Sequence, residues 1–320
     1  MIMVSGEALM DVFAEHDTPT GVALDARIGG SPLNVAIGLA RLGQQVDFLG
    51  ALSSGFLGER LRRALDAEGV GLSHVATVDA PTTLGLVGLD ASGAASYAFY
   101  GHDCADRMLR AEHLPDLGDD VRALHFGSYS MVVEPVASTQ RRLVEREHDS
   151  RVISYDPNLR LNVEPDLERW TSTVNWMARH AHLLKVSSED LELLRPGVDL
   201  RAVVDEWLSL GVALVVVTHA NRGALGFTKR DTVGVEAKPV KVVDTVGAGD
   251  TFQAGLLAWL SEQDLLSIPG LGALTADQVK AGMEFAVAAA AITCTRRGAD
   301  MPRRRELPAL QTSDVSRTSP

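Results

Sequence analysis

The sequence predicts a doubly wound α/β fold: a mainly parallel sheet flanked by helices, with a small β-sheet outside it. Three observations predict it. Short apolar, β-rich runs alternate with amphipathic helical stretches along most of the chain. Glycine-rich turns lead into a helix near each end, at Gly29-Gly30 and at Gly247-Ala248-Gly249. From Val75 to Tyr100 the alternation gives way to short segments rich in Thr, Val and aromatics.

The elements follow in order. Ile2–Val4 is an apolar run ending at Gly6, a buried-strand signal. Ser31-Pro32 opens a helix, with Ser as a good N-cap and Pro suited to the first turn. Leu33, Ala36, Ile37 and Ala40 follow at helical spacing, and Gly43 stops it. Val46–Leu49 is the next strand and Phe56–Ala67 the next helix. Leu84–Leu89 and Ala95–Tyr100 flank the turn cluster Asp90-Ala91-Ser92-Gly93 and read as a hairpin. Strands are then expected at Ala123–Phe126, Val152–Tyr155, His182–Val186 and Val212–Val217, with helices between them. Ala224–Phe227 and Val233–Val235 read as a second hairpin. Two long helices, Asp250–Leu260 and Thr275–Thr295, close the fold. We expect one α/β domain over 1–302. The stretch 303–320, with Arg303-Arg304-Arg305 and a polar end, reads as a disordered tail.

Composition narrows the function. The 320 residues are 46% hydrophobic and 22% charged, as in an ordinary globular protein, enough to bury a core without disulfides or metal. A net charge of −12 argues against a nucleic-acid partner. It leaves room for an anionic substrate, since helix N-termini can bind phosphate inside an acidic protein. Cys104 and Cys294 form no disulfide framework or metal spacing. The N-terminus lacks a signal-peptide pattern, and the longest apolar stretch, Ala286–Cys294, is too short to cross a bilayer. A cytoplasmic protein with no membrane partner is expected.

The string Val243-Asp244-Thr245-Val246-Gly247-Ala248-Gly249-Asp250-Thr251-Phe252 is the sharpest feature. It joins a β-like run to an apolar helix. The amides of Gly247, Ala248, Gly249 and Asp250, with the helix dipole, would form a hole for charge developing on a phosphoryl group. Asp250, at the helix start, could take a proton from an attacking hydroxyl. A plain glycine turn with an aspartate cap would explain the residues singly; the complete string favours the chemistry. In Gly29-Gly30-Ser31-Pro32-Leu33-Asn34, paired glycines permit close backbone approach to a polar ligand, and Asn34 could hydrogen-bond it. A simple turn with a first-turn Asn explains that segment equally well. No P-loop, Rossmann fingerprint or nucleophile elbow is present. His180-Ala181-His182 and His102-Asp103-Cys104 are weak metal signals, better read as ordinary structure.

The chain from about Val4 to Pro302 resembles the ribokinase-like (PfkB) carbohydrate kinases. Asp244–Asp250 is similar to their C-terminal signature and Gly29-Gly30 through Gly43 to their N-terminal one. The resemblance implies that the small sheet is a lid, built from about 11–28 and 75–102, and that the ATP γ-phosphate is transferred to a hydroxymethyl group, with Asp250 as base and Gly247, Ala248 and Gly249 in the anion hole. It implies sugar binding by Asp11, Gly29, Gly30, Asn34, Phe99 and Arg160. Lys185, Ser187, Thr218, Gly223 and Gly249 fall on the nucleotide side. Asp244, Val246 and Gly298 match a monovalent-cation loop, so K⁺ is expected beside Mg²⁺. The family's Asn-x-x-Glu near Mg²⁺ is replaced by Ser187-Ser188-Glu189-Asp190, which leaves Asp190 with shorter reach.

Within the family, Gly6–Asp11, Leu124–Ser128, Asp156–Arg160 and Phe99-Tyr100 followed by Ala105–Arg107 are similar to bacterial fructokinases, which points to D-fructose. The last three strings are also similar to 2-keto-3-deoxygluconate kinases, for which Arg160 and Arg107 are the candidate extra cations. Other sugar or nucleoside kinases, and a binding regulator that lost turnover, remain open. Lid-mediated homodimers occur in the family, and the aromatic Tyr97–Tyr100 segment suits one.

Overall fold

Residues 1–89 and 95–308 are described by the structure, a computed structural model. In chain order the elements are β1 (Ile2–Ser5), β2 (Leu9–Thr18), β3 (Gly21–Gly29), α1 (Ser31–Arg41), β4 (Val46–Ser53), α2 (Phe56–Ala67), β5 (Val75–Val78), β6 (Leu84–Leu89) and β7 (Ala95–Tyr100). There follow β8 (Ala123–Gly127), α3 (Val136–Glu147), β9 (Val152–Asp156), α4 (Leu167–Met177), β10 (Leu183–Ser187), α5 (Ser188–Leu194), α6 (Leu200–Leu210) and β11 (Leu214–Thr218). The chain closes with β12 (Ala224–Phe227), β13 (Thr232–Val235), α7 (Ala248–Glu262), α8 (Ile268–Gly272) and α9 (Ala276–Cys294).

Nine strands form the main sheet in the order β13-β12-β11-β10-β9-β8-β1-β4-β5. From β11 to β5 every neighbour is parallel; β12 pairs antiparallel with both β11 and β13, so β12 alone runs against the rest. Central strands are buried on both faces, which explains their continuous apolar runs. In β11, Leu214 and Val216 face one core, while Val215 and Val217 face the other. The first core lies under α1, α2, α7 and α9. The second lies under α3, α4 and α6, around the fully buried Trp170 and Trp207. Helices α7 and α9 pack closely because Gly255 lets the backbone of Ala286 approach: a Cβ there would meet the Ala286 Cα at 3.0 Å.

β1 is where the winding reverses. It has β4 on one side and β8 on the other, and the chain leaves it directly for the lid strand β2. Such a switch point opens a ligand crevice at the carboxyl ends of the strands. The lid is a four-stranded sheet in the order β3-β2-β6-β7.

Several expectations need correction. Val75–Val78 is not lid: β5 is the parallel edge strand beside β4, because α2 returns the chain to the main sheet before it crosses back. The second lid segment therefore starts at Leu84. Its two strands pair antiparallel, and the predicted turn Asp90–Gly93 lies outside the described residues. Residues 303–308 are ordered rather than tail-like. Arg303 pairs with Glu68, Arg304 with Glu262, and Leu307 is buried. The rest of the predicted tail lies outside the described residues. Gly30, not Ser31, is the N-cap of α1, and Ser31 makes no capping bond. No helix among the described residues is long and apolar enough to cross a membrane.

Candidate active site

Asp250 sits in the first turn of α7 and is buried. The turn before it needs glycine at 247, which has φ 76° and would press a Cβ to 2.5 Å from the Ala299 Cβ. Both Asp250 oxygens accept hydrogen bonds from α1. Ser31 Oγ donates to Oδ1 at 2.6 Å and Asn34 Nδ2 donates to Oδ2 at 2.9 Å. The two glycine-led helices, 216 residues apart in sequence at this contact, thus meet at one carboxylate. Asn34, expected to bind sugar, also holds Asp250.

Asp11 comes from lid strand β2 and adjoins the same place. A Cβ at Gly29 would stand 2.2 Å from its Oδ2, so glycine there leaves room for the carboxylate to lie across β3. Burial raises the Asp11 pKa to about 6; the Arg160 guanidinium opposes the rise and the Asp250 charge adds to it. Arg160 is exposed, with Nη1 donating to Leu159 O at 2.9 Å. Phe99 on β7 packs edge-on against Tyr129, with ring centroids 5.5 Å apart.

The residues expected on the nucleotide side line up along the strand ends. Ser187 closes β10, its Oγ accepting from Asp190 N at 3.0 Å. Thr218 closes β11, and Gly223 turns the chain into β12, its carbonyl accepting from His219 N at 2.7 Å. Lys185 Nζ donates to Asp156 Oδ2 at 2.6 Å in a wholly buried ion pair. The same Nζ lies 3.1 Å from where a Gly249 Cβ would be, directly under the α7 turn. Asp190 accepts from Leu159 N at 3.3 Å. Burial raises its pKa to about 6, with Asp156 adding.

Asp244 bridges two loops. Its Oδ1 accepts from Val246 N at 3.1 Å and its Oδ2 from Gly298 N at 2.7 Å. The weak metal candidates have ordinary partners: His180 stacks on Trp176, and His182 Nδ1 accepts from Ile153 N. His102 is exposed beside Asp103.

A lid carboxylate, a buried carboxylate at a helix N-terminus and a lysine under the amides of that turn surround one point at the sheet's carboxyl edge. The pfkB family carbohydrate kinase pattern matches residues 1–305. The chain belongs to the pfkB family of carbohydrate kinases. It is 41% identical over 267 residues to a fructokinase of Rhizobium leguminosarum bv. trifolii, covering 83% of this chain and 82% of that one. It is 32% identical over 330 residues to fructokinase-2 of Solanum habrochaites, covering 99% and 95%. A crystal structure of fructokinase from Xylella fastidiosa with bound ATP matches with a TM-score of 0.84 at 29% identity, covering 96% of this chain and 94% of that one.

Two members of this pfkB site escaped the sequence reading. Ser31 reads locally as a cap, yet Ser31 and Asn34 are three apart and share a helix face, which points both at one partner. Asp156 ends an apolar strand at the sheet's carboxyl edge, the usual place for ligand residues in such folds.

Proposed function

We propose that the protein is an ATP-dependent fructokinase, producing fructose 6-phosphate with Asp250 as general base. The observation that carries this is the Asp250 carboxylate, held by Ser31 and Asn34 at the start of α7. A sugar hydroxyl entering between Asp250 and Asp11 would lose its proton to Asp250 as it attacks the γ-phosphate. The amides of Gly247, Ala248 and Gly249 and the Lys185 ammonium would face the charge that develops.

A neutral sugar fits better than an acidic one. Asp11 has the Arg160 guanidinium on one side and the Asp250 carboxylate on the other, so the sugar-side cation already has a carboxylate to balance. The second candidate cation, Arg107, lies over the Tyr129 ring at 5.9 Å and beside Gly101, so it is engaged elsewhere. The supported identity to fructokinases points the same way. A binding regulator would have little use for the buried carboxylate.

Mg²⁺ fits the residues present. Asp156 Oδ1 is buried without a partner, and Asp190 stands near it. One or two carboxylates plus substrate phosphates suit Mg²⁺, which keeps waters and rarely needs an all-protein cage. When bound, it would neutralise phosphate charge. K⁺ would sit by Asp244, Val246 and Gly298, bracing the turn at Gly247. Exposed Val22, Leu24 and Tyr100 on the lid's edge strands suit a homodimer through the lid.

An ADP-release screen over fructose, other hexoses and pentoses, 2-keto-3-deoxygluconate and nucleosides tests the reading. The highest kcat/KM should belong to fructose. A far higher value for the keto-deoxy acid overturns the substrate; no turnover with any sugar overturns the activity.

A further inference from the structure

The lid joins the main domain through four chain crossings, and all four meet at one buried polar cluster. Glu7 lies on the first crossing, between β1 and β2, and is 1% exposed. Its backbone carbonyl lies against the second crossing, 2.7 Å from where a Cβ on Gly30 would be. Thr83 lies on the third, before β6, and its carbonyl accepts from Met10 N at 3.0 Å. Asp106 lies on the fourth, after β7, where Ala105 N donates to Pro81 O at 2.8 Å. Thr83 Oγ1 donates to Asp106 Oδ1, and Tyr129 Oη donates to Asp106 Oδ2 at 2.8 Å. Tyr129 belongs to the main domain, and its ring holds Phe99 of the lid. None of these groups touches the reacting atoms.

The donors are unequally shared. Asp106 accepts from two hydroxyls and has Arg107 nearby. Glu7 faces Ser128 and Ser130 on the main-domain side and Asp106 on the other. Ser130 already donates to Gly127 O at 2.9 Å, so its oxygen can only accept. Glu7 Oε2 and Ser128 Oγ are both buried without a partner. A buried carboxylate short of donors and next to a second carboxylate is costly; a neutral carboxyl can donate to a serine oxygen instead.

We infer that Glu7 is a positioning residue: its uncharged carboxyl latches the root of the lid, through Asp106 and Tyr129, and so sets where Asp11 and Phe99 meet the sugar. This rests on the sugar-kinase reading above. The titratable groups facing Glu7 are Asp106 and Tyr129, on segments packed against it, and Arg107 acts on both of these. Burial raises its pKa to about 7. The fold prefers the neutral form, so as pH rises through about 7 ionisation works against the latch, and the lid root loosens.

The test compares wild type with Glu7→Gln, whose amide keeps a neutral donor. Hydrogen exchange of β2 and β3 is followed from pH 6 to 8 and corrected for the intrinsic pH dependence. Wild-type lid exchange should rise by up to about tenfold, the factor that one pKa unit of coupling represents, with fructose KM rising while kcat changes less. Glu7→Gln should show no rise in lid exchange and should lack the KM rise that wild type shows above pH 7, keeping only the change at lower pH that Asp11 causes in both proteins. Superimposable profiles would overturn the inference. If Glu7→Gln does not fold, Asp106→Asn decides: removing its charge should move the wild-type midpoint to lower pH, and an unmoved midpoint overturns the latch. Lid exchange needs no sugar, so it still reads the latch if no sugar is turned over, an outcome that would count against the kinase reading alone.

Discussion

Ser31 Oγ donates to Asp250 Oδ1 at 2.6 Å, across 219 residues of sequence. The bond fixes one oxygen of the proposed base and, with Asn34 on the other, leaves the carboxylate only its outward lone pairs for a substrate hydroxyl. Ser31→Ala should therefore lower kcat more than it raises sugar KM. A hydrogen bond to a charged group is worth roughly 1.5–3 kcal/mol, so a fall of about tenfold or more in kcat is expected. Steady-state kinetics with fructose check it; an unchanged kcat would show that Asn34 alone positions the base.

Asp250→Asn should lower kcat by roughly 10²–10⁴-fold, the usual worth of a general base. The fold should tolerate it, because the Ser31 hydroxyl can rotate to accept from the new amide while Asn34 still donates to its oxygen. Single-turnover rates and melting curves together test this. A kcat within about threefold of wild type would make Asp250 a structural cap and not the base.

Asp11 predicts a pH dependence. Its pKa is raised to about 6, and the ionised form is the better acceptor for a sugar hydroxyl. Sugar affinity should therefore improve as pH rises from 5 to 7. Stability should move the other way: an acid whose folded pKa lies above its unfolded value costs stability above the unfolded pKa, and the cost grows until the folded pKa is passed. Asp11→Asn should melt higher than wild type at pH 7 yet bind fructose more weakly. Calorimetric titration and melting at pH 5 and 7 measure both signs.

Lys185 and Asp156 form a wholly buried pair. Lys185→Met strands the Asp156 charge and should cost roughly 3–5 kcal/mol, as breaking one side of a buried pair does. Adding Asp156→Asn should restore most of the stability, but not the turnover, because the ammonium under Gly249 and the carboxylate proposed for Mg²⁺ are both missing. Denaturant midpoints and kcat for the single and double variants separate the two roles; recovery of kcat in the double variant would remove Lys185 from the chemistry.

Asp244 accepts from Val246 N and Gly298 N, so Asp244→Asn must turn its amide nitrogen toward one of these donors. If K⁺ braces this loop, wild type should be faster in K⁺ than in Na⁺, and the variant should lose that difference. Equal wild-type rates in K⁺-free Na⁺ buffer would end the cation proposal.

Local chemistry made the fold class and the proposed base legible in the sequence. The β-branched run Val212–Val217 and the glycine turn before Asp250 carry their structural meaning in adjacent residues, through burial on both faces and the φ that Gly247 alone adopts comfortably. What the sequence could not show depended on which distant segments touch. Ser31 looked like a cap because capping is a local rule; only the approach of α7 turned its hydroxyl toward Asp250. Val75–Val78 looked like lid because its composition matches the lid strands, and only pairing with β4 assigned it to the main sheet. Glu7, Thr83 and Asp106 carry no common motif, since they lie on three separate crossings. They become one cluster because a lid attached at four points must bring those points together, and polar groups brought together out of water must satisfy one another.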